Sequence, residues 1–142
     1  MTQHDPLVIQ ARLDDVEAAC DYVADIAEQA GMGDEGVFRC RLSVEEICTN
    51  IVEHGYGYDN LDGSIKLTCV RDDDHLVIEI SDDAPLFDPL TLPNPDPRKP
   101  LWERTQGGWG VFFVRRFMDS VSYHNTGQRN HVRMIKRITA DD

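Results

Sequence analysis

Apolar residues recur at three- and four-residue steps through and just ahead of residues 39–56 (RCRLSVEEICTNIVEHGY): Val37, Cys40, Val44, Ile47, Cys48 and Ile51, with Gly55 closing the row. That period is the buried stripe of an amphipathic helix, opening at Asp34 and leaving through Gly55 and Gly57, residues suited to a left-handed stop. A second helix is predicted over residues 16–30, capped by Asp14 or Asp15 and ended by Gly31 and Gly33. Alternation of period two predicts a strand at residues 7–13 (LVIQARL). It also predicts a hairpin of residues 63–71 (GSIKLTCVR) and 75–81 (HLVIEIS) around Asp72, Asp73 and Asp74. Residues 121–125 and 130–138 (NHVRMIKRI) read as a closing hairpin whose turn, residues 126–129, holds Gly127. Ahead of it, Gly107, Gly108 and Gly110 lead into a helix predicted over residues 111–118 (VFFVRRFM).

The predicted order is β, α, α, β, β, long connection, α, β, β. It implies an α+β fold, a two-layer α/β sandwich whose mixed, largely antiparallel sheet carries helices on one face. A chain of 142 residues suits one domain. The connection, residues 82–106, has little periodicity and six prolines, at 85, 89, 93, 95, 97 and 100. An unstructured stretch of that length inside a compact domain reads as a lid or binding loop.

Charge narrows the partners. A formal net charge of −12 repels phosphate backbones and anionic lipid surfaces, so neither nucleic acid nor membrane is expected as a partner. The acidity either steers a basic patch on another protein or serves solubility alone. Cys20, Cys40, Cys48 and Cys69 form no C-x-x-C pair and read as reduced, structural thiols. The N-terminal MTQHDPLVIQARLDD lacks a signal-peptide pattern and no segment approaches the ~20 apolar residues of a membrane span, which makes the cytoplasm the expected compartment.

Three groups of residues carry candidate chemistry. Glu46 and Asn50, four apart, border the apolar stripe on one helix face, with His54 expected to continue the row and Glu45 assigned to solvent. Glu46 is a proton acceptor and Asn50 an amide-oxygen donor for a hard cation such as Mg²⁺, although such residues on a helix border are more often a solvated face. In DDAPLFDP, residues 82–89, a strand-end Asp82 suits a hydrogen bond from an exocyclic amine, with apolar neighbours such as Phe87 around a base. Taken alone, the same motif is turn chemistry. GGWG running into a helix offers close backbone N–H groups and a positive helix end to phosphates, or only makes a turn; it is not a Walker A loop, since no G-K-[ST] follows.

In order and spacing, Glu46 and Asn50 within EEICTNIVEHGY, then Asp82 within DDAPLFDP, then GGWGVFFVRRFMDSVSY resemble the three boxes of the GHKL ATP-binding superfamily. Within it they are similar to the anti-sigma-factor serine-protein kinases of the RsbW type, over nearly the whole chain. The resemblance implies the Bergerat, histidine-kinase-like ATPase fold, with ATP and Mg²⁺ as cofactors and residues 84–106 as the ATP lid. Glu46 matches the general base, Asn50 the Mg²⁺ ligand and Asp82 the adenine-binding carboxylate. Ala84, Phe87 and the run Gly107, Gly108, Trp109, Gly110 and Val111 complete the implied ATP-binding set. Its implied partners are a small STAS-type antagonist, which it would phosphorylate on serine, a sigma factor, and a second copy of itself. The alternative is a nucleotide-sensing binding module with weak or no catalysis. It draws on one departure: the second box reads D-x-G-x-G in the superfamily, and Ala84 replaces its first glycine. If position 84 needed positive φ, or close backbone approach to the base, alanine would cost roughly 1 kcal/mol or more. Trp109 either stacks in the glycine loop or packs on the helix.

Overall fold

The computed structural model describes residues 2–91 and 108–140. Its strands are β1 (Thr2–Gln3), β2 (Leu7–Ala11), β3 (Asn60–Asp72), β4 (His75–Asp82), β5 (Ser120–Asn125) and β6 (Asn130–Arg137). Its α-helices are α1 (Val16–Gln29), α2 (Asp34–Asn50) and α3 (Gly108–Phe117). Every pairing between the described strands is antiparallel. The sheet runs β1-β3-β4-β6-β5, and β2 shares with β1 the outer edge of β3. The expected α+β architecture of helices on an antiparallel sheet is thus realised.

Alternation places the core. Ile65, Leu67 and Cys69 of β3, Leu76, Ile78 and Ile80 of β4, and Val132 and Met134 of β6 are buried on the face that meets the helices. Against them lie Ala19, Cys20, Val23 and Ala27 of α1 and the stripe Val37, Cys40, Val44, Ile47 and Cys48 of α2. Each large aliphatic side chain withdrawn from water here contributes about 1.5–3 kcal/mol before chain entropy is subtracted.

The element ends show which local signals work. α1 closes in a Schellman motif: Gly31, at φ +93°, donates its N–H to the Glu28 carbonyl at 3.0 Å, and Met32 donates to Ala27 at 3.1 Å and is buried. The start of α1 departs from expectation. Neither Asp14 nor Asp15 is a side-chain cap; the chain enters through a 3₁₀ turn (Leu13–Asp15), and the Leu13 N–H is held instead by Asp59 Oδ1 at 2.9 Å. β2 stops at Ala11, two residues short of the expected end, after a register shift between Gln10 and Ala11. α3 begins at Gly108, three residues earlier than its apolar pattern indicates, because first-turn residues need no apolar side chain to join a helix.

Candidate functional site

Asn50 ends α2 and is completely buried. Neither its Oδ1 nor its Nδ2 has a hydrogen-bond partner among the described residues. Burying an amide this way costs about 1–3 kcal/mol, so a ligand that engages it recovers a free-energy deficit built into the fold. One turn earlier Glu46 is half-buried, and Glu45 is exposed as expected. Glu46 also lines a cavity of about 490 Å³ beside α1, together with Glu17, Arg41, Glu45, Thr49 and Glu53.

After Asn50 the helix widens. Ile51–Gly55 is a π-turn, with the Tyr56 N–H bonded to the Ile51 carbonyl at 2.9 Å. His54 lies within this turn. It is exposed, and its ring centroid lies 6.1 Å from that of Phe87, in the segment that leaves β4.

Asp82, the last residue of β4, is 2% exposed and pairs in register with Asn130, the first residue of β6. Its Oδ1 accepts hydrogen bonds from Asn130 Nδ2 and the Ala84 N–H, both at 2.9 Å. The same Nδ2 reaches the Ala84 carbonyl at 3.2 Å, while Asn130 Oδ1 accepts from the Phe87 N–H at 2.9 Å and from the Tyr123 hydroxyl. One side chain thus ties the carboxylate to the turn that follows it. Burial raises the Asp82 pKa above the ordinary carboxylate value, opposed by the hydrogen bonds from Asn130 and Ala84 and by the charge of Arg129. Next to it, Tyr56 bonds Asp83 and the Ser64 carbonyl.

The ends of α2 and β4 meet through small residues. Ala84 is buried, and its Cβ lies 3.3 Å from where a Cβ on Gly55 would stand. Among the described residues the only non-glycines at positive φ are Tyr58 and Asp73. Ala84 therefore carries no left-handed strain, and the positive-φ part of the penalty considered for it from sequence does not arise.

Of the connection expected to be a lid, residues 84–91 are described. Pro89–Thr91 forms a 3₁₀ turn, with the Leu90 N–H on Asp88 Oδ1 at 2.8 Å and the Leu90 carbonyl accepting from Arg115 Nη2 of α3 at 2.8 Å. Residues 92–106 and Gly107 lie outside the described residues. Gly108, Trp109 and Gly110 form the first turn of α3, and Val111 is buried beneath it. Arg39 of α2, 5.3 Å from the ring of Phe117, joins α2 to α3.

Comparison with known proteins bears on this arrangement. The family model described as histidine kinase-like ATPase domain matches residues 9–136. The chain belongs to that family. Two similar curated proteins are serine-protein kinases RsbW. The one from Oceanobacillus iheyensis is 29% identical over 107 residues, covering 72% of this chain and 67% of its own length. The other, from Listeria monocytogenes, is 28% identical over 133 residues, covering 89% and 84%. A crystal structure of the RsbU and RsbW domains of Rv1364c from Mycobacterium tuberculosis superposes with a TM-score of 0.66 at 14% identity, over 95% of this chain and 33% of that one, a likeness of fold.

In this histidine kinase-like ATPase domain, sequence reasoning missed Asn130 and Tyr56. Asn130 stands in the segment RNHVRMIKR, yet its role needs the β4–β6 register, which no spacing in the chain reveals. Tyr56 comes directly after the π-turn, and its ring occupies the space beside Gly63, where a Cβ would fall 2.7 Å from the ring. No helix among the described residues is long and apolar enough to cross a membrane.

Proposed function

We propose that this chain is an ATP-dependent serine-protein kinase and anti-sigma-factor-type regulator. Its substrate is a small STAS-type antagonist protein in a partner-switching circuit. The observation that carries the reading is the Asn50 amide, buried without a partner among the described residues one helical turn from Glu46. The likeness to RsbW serine-protein kinases supports it.

The donor set fits the implied cofactors: Asn50 offers a hard amide oxygen that Mg²⁺ accepts, and Asp82 offers a carboxylate set in apolar surroundings. ATP with Mg²⁺, when bound, supplies the phosphoryl group and the charge neutralisation on which phosphoryl transfer depends. Glu46 takes the proton from the attacking serine hydroxyl. Asn50 would hold the metal. Asp82, held by Asn130, would accept a hydrogen bond from the exocyclic amine of the base, with Phe87 beside it, and the N-terminal turn of α3, with Gly107 ahead of it in the chain, would meet the phosphates.

Labelled ATP incubated with the chain and a candidate antagonist tests this. Glu46→Ala is expected to lower phosphoserine formation by about 100-fold or more while a fluorescent nucleotide still binds. Full transfer in that variant overturns the assignment of the base. A second reading, a nucleotide-sensing module without useful catalysis, draws on Ala84, whose buried methyl takes space that the superfamily's glycine leaves free. Nucleotide binding with no phosphoserine on any antagonist supplied is its signature.

A further inference from the structure

We propose that Glu79, His124 and His131 form a zinc-binding site on the face of the sheet opposite the helices. The three residues come from the adjacent strands β4, β5 and β6. Each occupies a position that alternates with core residues, so each points away from the helices: Glu79 between Ile78 and Ile80, His131 between Asn130 and Val132. None belongs to the site around Asn50 and Asp82, which lies on the helix side of the sheet.

His124 and His131 are direct cross-strand partners with ring centroids 4.7 Å apart and planes 3° from parallel. Glu79 is diagonal to His131 across the β4–β6 ladder, with Oε1 3.6 Å from Nδ1. One ligating atom from each of the three lies within 4.8 Å of the others. Tetrahedral zinc, with bonds of about 2.0–2.2 Å, needs ligand atoms roughly 3.3–3.5 Å apart. Side-chain rotation covers that difference without moving the strands.

Parallel rings do not aim both in-plane lone pairs at one ion, so one imidazole must leave the stack. His124, exposed on edge strand β5, has the room to turn. His131 and Glu79 are only 20% and 34% exposed along their side chains, and they border a cavity of about 150 Å³ shared with Lys66, Thr68 and Ser81. Two imidazoles and a carboxylate favour zinc over the all-oxygen cations, and three protein ligands leave a fourth position for water. Lys66, in the cavity wall, Arg129, bonded to Ser81 of the same wall at 3.2 Å, and Arg133, cross-strand from Glu79, are nearby cations that oppose binding. No short spacing announces the site, because Glu79 and the histidines meet only through strand register.

The test is calorimetric titration of zinc chloride into the untagged, chelator-stripped, reduced chain. One equivalent per chain is expected to bind, with affinity at least tenfold weaker in Glu79→Gln and in His124→Gln, and no saturable binding in His124→Gln/His131→Gln. His124→Gln alters one exposed edge residue and leaves the fold intact, so its result stands independently of the buried positions. Absence of saturable binding in the parent chain, or affinity unchanged in His124→Gln, overturns the proposal. Unchanged affinity in the double variant does so too, by placing the ion elsewhere.

Discussion

At the scale of single residues, two asparagines have opposite energetics. Asn130 uses its full hydrogen-bonding capacity, while Asn50 spends burial on an amide with no partner among the described residues. Asn130→Ala is therefore expected to lower stability by about 2–3 kcal/mol in urea denaturation and to weaken nucleotide binding, because Asp82 loses a bond and the Phe87 N–H loses its acceptor. Asn50→Leu is expected to do the reverse to stability. Replacing an unpartnered amide with an apolar side chain of similar size raises the stability of the ligand-free chain by about 1 kcal/mol or more and removes Mg²⁺-dependent nucleotide binding. A loss of stability in Asn50→Leu would mark the amide as structural. The spacing of Glu46 and Asn50 was legible, since four residues on a helix fix their shared side; the partnership of Asp82 with Asn130, 48 positions apart, was not. Nor does composition reveal that Ala84 sits at negative φ, because backbone angles are settled by the surrounding packing.

At the scale of elements, the π-turn of Ile51–Gly55 decides how the end of α2 meets the end of β4. A 3.6-residue wheel carries the apolar stripe straight through it and so does not register the wider turn. The contact itself depends on the absence of a side chain at Gly55. Gly55→Ala is expected to cost about 1 kcal/mol, as its methyl would stand 3.3 Å from the Ala84 Cβ. In an Ala84→Gly background the cost should vanish, and a double-mutant cycle measured by thermal or urea denaturation reads the coupling. Equal costs in both backgrounds would mean that the two residues do not share that space. Helix ends were legible where glycine makes them, as at Gly31, and illegible where a distant side chain does, as with Asp59 on the Leu13 N–H.

At the scale of the molecule, the order of helices and strands gave the layers and the turns gave the two hairpins, but nothing in the pattern says how the hairpins and the N-terminal strands are arranged, so β1 and β2 beside β3, and β4 beside β6, emerged only from the structure. Four buried thiols offer a global test. Burial pushes Cys20 up to about 11 and Cys40 and Cys69 to about 12, each from an ordinary 9.0, and raises Cys48 further still. The folded chain then holds these protons more tightly than the unfolded one, so stability is fully present below pH 9 and is expected to fall as pH rises through the folded values. Urea midpoints between pH 8 and 10.5 check the slope, and iodoacetamide at pH 8 should label the thiols only after denaturation. The placement of β2 has a consequence in time. Leu7 and Ile9 pair with Leu67 and Ile65, residues translated nearly sixty codons later. At about 5–20 residues per second, a ribosome makes β2 wait roughly 3–12 seconds for its neighbour. Through that interval Leu7, Val8 and Ile9 form an unsheltered sticky segment on the nascent polypeptide, and a chaperone has its best opportunity there.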